Sequence, residues 1–207
     1  FYDNVQPLAP LEQDALAALP VDLDRIKRTL DLTALDAPAD RGFFERLSAW
    51  PTFTINGLHG GYGGPGSKTV LPHEAFAKCD IRLVEAQTAD EIFAKVEAHV
   101  RRHAPGVELI RQGSMDPSKT PLESPYTAPL RDAIAAAQGA PLLVPAMGGS
   151  LPDYVFTKTL GIPAFGVPYA NADEANHAPN ENLEVERFYN GIKTGAAILA
   201  YLGAMGR

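Results

Sequence analysis

The 207-residue chain has one cysteine, Cys79, one tryptophan, three methionines and fewer basic than acidic side chains. A single thiol can form neither an internal disulfide nor a thiolate zinc site, which excludes a disulfide framework and a cysteine-ligated zinc module. With 18 Lys and Arg against 25 Asp and Glu, the formal net charge is −7. That balance argues against a protein that tracks nucleic-acid phosphates, because such binding needs a basic face. No apolar run approaches the roughly 18 residues of a membrane span. The opening Phe1-Tyr2-Asp3 also lacks the basic start and apolar stretch of a signal peptide. These absences predict a soluble, cytoplasmic chain with neither nucleic acid nor membrane as partner. Because it opens on Phe1 rather than Met, the chain is expected to be a piece of a longer product.

What is present is an apolar fraction of 45% with 21% charged residues, enough to bury a core. The length suggests one or two domains. Gly and Pro number 18 each, above average usage of about 7% and 5%, so short elements joined by defined turns are expected. Helical spacing of Leu, Ile and Val predicts short helices over Leu11–Leu19 and Asp22–Leu30. Thr52–Asn56 alternates as a strand, a Gly-rich turn runs from Gly57 to Gly66, and Ala75–Val84 alternates again. In the second run Ala75, Ala77, Cys79, Ile81 and Leu83 share one face, predicted to be covered, while Lys78, Asp80 and Arg82 share the other. Thr88-Ala89-Asp90-Glu91 reads as a capping box opening a helix with Ile92, Phe93, Val96 and Val100 on one stripe, stopped by Pro105-Gly106. Val107–Arg111 is predicted as a further strand. The order strand, strand, helix, strand matches the later part of a ferredoxin-like α+β sandwich.

A linker, Gly113–Ser124, divides residues 1–113 from 114–207. Ser124-Pro125 predicts a helix start and Gly139 its end. Short strands are expected at Leu142–Val144 and Ala164–Val167, with a helix from Pro152 to Thr159 between them. A final helix carries Val185, Phe188, Ile192, Ala196, Leu199 and Leu202 on one predicted buried face. Helices alternating with short apolar strands imply an α/β layer. Its ligand loops would be Gly148–Ser150 and Tyr169–Asn182.

Three segments could carry chemistry. Gly63-Gly64-Pro65-Gly66-Ser67-Lys68-Thr69 is not a phosphate loop, since Ser67 stands where Gly must precede the Lys and Val70-Leu71-Pro72 opens no helix. Gly148-Gly149-Ser150-Leu151-Pro152 misses the serine-elbow pattern because Pro152 occupies the second Gly position. Ser150 either caps the following helix or, with the Gly149 and Ser150 amides, holds an anionic or carbonyl oxygen. His177, in the loop Asn176-His177-Ala178-Pro179-Asn180-Glu181, is either a solvated side chain or a metal ligand. His99 and His103 read as a solvated helix face.

Gly66-Ser67-Lys68-Thr69-Val70-Leu71-Pro72, Asp80-Ile81-Arg82-Leu83-Val84, Gly148-Gly149-Ser150-Leu151-Pro152 and His177-Ala178-Pro179-Asn180-Glu181, in this order and spacing, resemble the zinc aminopeptidase-like family of carnosinase, aminoacylase and acetylornithine deacetylase. The Lys-Thr-Val-Leu-Pro and Gly-Gly-Ser-Leu-Pro forms are most similar to its carnosinase-like dipeptidase branch. The resemblance implies an α/β plus α+β architecture. Residues 1–113 would be a ferredoxin-like lid that dimerises, lacking its first strand and helix. Residues 114–207 would be the C-terminal part of a mixed-sheet catalytic domain. It implies a homodimer, two zinc ions (manganese or cobalt as alternatives) and a short peptide substrate with a free C-terminal carboxylate. His177 would be a terminal zinc ligand. Thr69 and Arg82 would reach from the lid into the partner subunit's site, Arg82 on the substrate carboxylate, and Gly149 and Ser150 would hold the substrate's C-terminal end. The family's chemistry also needs a His-x-Asp segment and a Glu-Glu pair supplying the general base, and neither occurs here. No catalytic residue is therefore expected in this chain, and as a fragment it is expected to be inactive. A non-catalytic dimerisation or binding module and an amidohydrolase of N-acyl amino acids are the competing readings.

Overall fold

The computed structural model describes residues 1–29, 31–35, 42–171 and 173–205. In chain order the elements are α1 (Pro10–Ala17), α2 (Leu23–Thr29), α3 (Phe43–Ala49), β1 (Thr52–Gly60), β2 (Ala75–Arg82), α4 (Ala89–His103), α5 (Thr127–Gln138), a π-helical turn (Val155–Thr159) and α6 (Val185–Met205). Two compact units form, each from separate stretches of sequence. The first comprises Phe1–Leu8, Leu35–Ser118 and Ala146–Val155; the second comprises Ala9–Ala34, Lys119–Pro145 and Phe156–Arg207. Ala9–Ala34 groups with the later sequence and Ala146–Val155 with the earlier.

In the first unit β1 and β2 pair antiparallel, from Thr52 opposite Arg82 to Gly60 opposite Ala75. The register slips between Ile55 and Gly57, so Asn56 is the extra residue of a bulge, a feature that locally re-aims side chains. Thr88 caps α4, its Oγ1 accepting from the Glu91 amide at 3.3 Å. The reciprocal half of the expected capping box does not form. The Glu91 carboxylate instead accepts from Asn4 Nδ2 at 2.7 and 2.9 Å and pairs with Lys95 at 2.9 Å. The N-terminal segment is further tied by Gln87, wholly buried, whose Nε2 donates to the Phe1 carbonyl at 2.8 Å. Ile92, 1% exposed, is the most buried large apolar side chain of α4.

In the second unit α5 and α6 pack on each other, burying Leu130 and Ala133 on α5 and Thr194 on α6. Glu12 of α1 is buried. One carboxylate oxygen accepts from the Ala9 amide at 2.9 Å and the other meets Lys119 Nζ at 2.6 Å. A buried carboxylate needs such partners, because unpaired it would cost several kcal/mol.

Several expectations are corrected. Val107–Arg111, Leu142–Val144 and Ala164–Val167 join no ladder among the described residues. A strand is defined by bonds to a neighbour. At Ala164 those bonds go to one side chain instead, Thr120 Oγ1 accepting from its amide at 3.0 Å and donating to its carbonyl at 2.8 Å. The helix expected over 152–159 is a π-helical turn of five residues. The face predicted to be covered in β2 is open, with Ala75, Ala77 and Cys79 exposed. The predicted buried stripe of α6 is open too, with Val185, Phe188, Ile192 and Leu199 all more than half exposed. Periodicity marks which residues share a face, while burial requires something to pack against it. Leu30, the expected end of the second helix, lies outside the described residues.

Truncating Ile92 removes a buried branched side chain inside a helix with favourable caps. Ile92→Ala is expected to destabilise the first unit by about 2–5 kcal/mol, read as a lower urea midpoint at unchanged slope.

Candidate functional site

Arg82 ends β2, placed by the ladder opposite Thr52 at the start of β1. Its Nη1 donates to Ser150 Oγ at 2.6 Å, and its Nε lies 3.4 Å from Asp80 Oδ2. Asp80 is held in turn by Asn56, whose Nδ2 donates to Oδ1 at 3.0 Å. The bulge thus turns Asn56 toward Asp80, Asp80 orients the guanidinium, and the guanidinium meets Ser150. A half-exposed ion pair of this kind adds about 0–1 kcal/mol of stability, so its consequence here is orientation. Ser150, accepting from Arg82, keeps its O–H as a donor beside the remaining guanidinium N–H groups. Clustered donors of this kind suit a carboxylate.

Ser150 is set in place by glycine. A Cβ on Gly148 would stand 2.9 Å from the Leu47 carbonyl oxygen of α3, so the loop backbone lies closer to α3 than any other residue allows. At Gly149 an added Cβ would meet only the flexible end of Met147, at 3.3 Å. Ser150 precedes the π-helical turn by five residues, and its Oγ accepts from Arg82. Arg82 and Ser150 therefore meet within one chain. Thr69 lies in the exposed connection between β1 and β2, with Val70 and Leu71 beside it in sequence and also exposed.

His177 belongs to the second unit and is exposed. Its backbone is left-handed, φ 59°, as are those of Ala175 at 55° and Asn180 at 66°. For residues with a Cβ this conformation is unfavourable and persists only where surrounding bonds enforce it. Asn171 and Asn182 supply those bonds. Asn171, buried, donates from Nδ2 to Asp173 Oδ1 at 2.8 Å and to Asn182 Oδ1 at 2.9 Å, and its Oδ1 accepts the Glu184 amide at 3.0 Å. Asn182 Nδ2 donates to the Asp173 carbonyl at 3.1 Å and the Asn180 carbonyl at 3.2 Å. An open hollow of about 450 Å³ adjoins this network, lined by Tyr169, Ala170, Glu174, Glu181, Asn182 and Leu183. The Asn171 amide bonded to Asp173 holds that carboxyl below its ordinary range, with the Asp173 backbone bond second.

Among the described residues no group of three His, Cys, Asp or Glu side chains is disposed to hold a metal ion. A catalytic zinc takes three protein ligands, so the described donors do not by themselves fit a complete metal centre. Asn56, Asn171 and Asn182 were not singled out by sequence reasoning, and Asp80 only as a polar-face residue. The sole local sign was Asp173 two residues after Asn171, the spacing of an Asx turn. The longer-range bonds leave no sequence signal.

Residues 14–108 match the M20 peptidase dimerisation domain. The chain is 28% identical over 214 residues to the Cys-Gly metallodipeptidase DUG1 of Candida albicans, covering 98% of this chain and 43% of that protein. It is 26% identical to the human Beta-Ala-His dipeptidase, over 95% of this chain and 40% of that one. Its fold superposes on the crystal structure of an M20 family metallo-carboxypeptidase from Sulfolobus solfataricus, with a TM-score of 0.89 and 29% identity. That match covers 96% of this chain and 46% of the other. The chain thus spans less than half the length of these relatives. Among the described residues no helix is long and apolar enough to cross a membrane.

Because the folded-state carboxyl of Asp173 is depressed, its bond stabilises the loop above the ordinary carboxylate range, near 3.9. The contribution is lost as pH falls through the lowered value. Asn171→Ala is expected to return the Asp173 titration toward the ordinary value, followed by NMR, and to cost about 1–3 kcal/mol of local protection. The loss would be read as faster amide exchange over residues 174–184.

Proposed function

We propose, from the chain's similarity to M20 metallopeptidases, that it is the lid and carboxylate-holding part of a dipeptide hydrolase. The observation that carries this reading is the contact of Arg82 with Ser150, two groups of donors held together at the end of β2 with no carboxylate on Ser150 among the described residues. Arg82, Ser150 and the Gly149 backbone would receive the C-terminal carboxylate of a short peptide, Asp80 and Asn56 fixing the guanidinium. In this reading Arg82 serves the site of its own chain, in place of the partner's, while Thr69 on the β1–β2 connection would reach across a homodimer. Residues 1–113 would supply most of the lid, and 114–207 part of the catalytic layer.

His177 would contribute one imidazole to a metal centre of two zinc ions, or manganese or cobalt, whose other ligands and general base lie outside these residues. The ion's chemistry, an activated water, would come with that centre. The rigid left-handed loop is what this chain adds, presenting the imidazole from a fixed backbone. The open apolar stripe of α6, Val185, Phe188, Ile192 and Leu199, supports a larger catalytic layer, since apolar patches of this kind are normally covered by further structure.

In a longer protein containing these residues, Arg82→Ala is expected to raise KM for dipeptides about 10- to 100-fold, the loss of about 1.5–3 kcal/mol from charged hydrogen bonds. It should leave C-terminally amidated substrates unchanged; equal effects on both would refute the carboxylate assignment. His177→Ala is expected to abolish hydrolysis and lower metal content, and a fully active variant would remove it from the ligand set. The 207-residue chain alone, supplied with zinc or manganese, is expected to cleave no dipeptide. Turnover by the purified chain would overturn the division of labour proposed here. If the longer protein also fails to hydrolyse dipeptides and N-acyl amino acids alike, a non-catalytic dimerisation module is the reading that stands.

A further inference from the structure

The C-terminal part of α4 carries His99 and, in its last turn, His103, four residues apart and so on one face of the helix. Their ring centroids are 4.4 Å apart with the planes inclined at 36°, and both side chains are exposed. Neither belongs to the carboxylate-holding contact or to the His177 loop. We propose that His99 and His103 form a two-imidazole chelate for a late first-row divalent cation, zinc, nickel or copper, on the outer face of α4.

The geometry suits one shared ion. Metal–nitrogen bonds of about 2.0–2.1 Å require the two ligating nitrogens to lie within about 4.2 Å of each other, and rings with centroids 4.4 Å apart can present them so. Two histidines at this spacing on a helix are the arrangement by which helical zinc sites take two of their ligands. Imidazole is a preferred donor for zinc, copper and nickel, with copper(II) expected to bind tightest by the Irving–Williams order. Water fills the remaining positions, since no third His, Cys, Asp or Glu side chain joins the pair among the described residues.

The local field also favours a cation. The pair occupies the C-terminal end of α4, where unpaired carbonyls concentrate negative partial charge. Two of the nearby cations are compensated. Lys95, one turn earlier, pairs with Glu91 at 2.9 Å and Asp3 at 3.0 Å, and Arg101 pairs with Glu97 at 2.8 Å. Arg102 places one further positive charge on this turn. A bound ion bridges one turn of helix, so it binds the folded helix better than the frayed one and stabilises the end of α4.

Calorimetric titration of the 207-residue chain with zinc or nickel, alongside His99→Ala, His103→Ala and His177→Ala, tests the site. The expected result is one equivalent bound, with affinity reduced about a hundredfold in either α4 variant, because single-point binding forfeits the effective concentration of the second ligand. His177→Ala keeps it. Amide exchange over residues 99–104 should slow with metal in the unsubstituted chain and not in the α4 variants. Both substitutions are on an exposed helix face and introduce a better helix former, so circular dichroism should show α4 retained. No binding by the unsubstituted chain overturns the proposal. So does binding that survives both α4 substitutions, or that His177→Ala removes. The readout needs no catalysis, so its outcome is independent of the dipeptidase reading.

Discussion

The antiparallel ladder between β1 and β2 is the constraint on which the first unit's chemistry depends. Eight residue pairs run from Thr52 and Arg82 to Gly60 and Ala75, with one slip at Asn56. The pairing at one end places Arg82 at the margin of the sheet, where a long side chain can leave the ladder. The slip inserts one residue and turns Asn56 toward Asp80, so a backbone irregularity becomes a side-chain alignment. Were the register regular through Asn56, successive side chains would alternate faces without this re-aiming. Gly148 completes the arrangement from a distant part of the chain by letting the Ser150 loop lie against the Leu47 carbonyl.

The His177 loop is built on a different device. Three residues with left-handed backbones occur between 175 and 180, each unfavourable by itself. One buried amide, Asn171, satisfies donors and acceptors on both arms of the loop, and Asn182 closes it from the other side. A loop held in this way keeps an imidazole on a defined backbone without burying it. The same economy recurs in the first unit, where Gln87 ties the chain's opening residues to the start of α4.

Much of this was readable from local patterns. Thr88 at the start of α4, Gly139 at the end of α5 with φ 96°, and the presence of α6 follow from interactions within a few residues. The strand pair β1 and β2 was legible for the same reason, as two alternating runs joined by a Gly-rich connection. Ala164–Val167 has the composition of a strand but joins no ladder among the described residues, because strand formation depends on a neighbour and the Thr120 hydroxyl takes the Ala164 bonds. The stripe on α6 was read correctly as one face, yet that face is open. The Glu91 carboxylate was expected to turn back on its own helix and instead joins Asn4 and Lys95. Local rules assign a side chain its nearest possible partner, and a stronger distant one can displace it.

While the roles proposed for Thr69, Arg82, Gly149, Ser150 and His177 rest on a family resemblance, the sequence by itself determined where α4 and α5 are capped and which residues can share a face. Those properties depend on backbone sterics and on neighbours a turn away. Only the tertiary structure decided that Arg82 meets Ser150 across 68 residues, that Asn56 and Asp80 orient it, and that Asn171 locks the His177 loop. Such contacts join residues whose separation along the chain leaves no periodic signal. The first two exist because a few angstroms of backbone approach, permitted at Gly148 and at the Asn56 bulge, bring unlike segments within hydrogen-bonding distance.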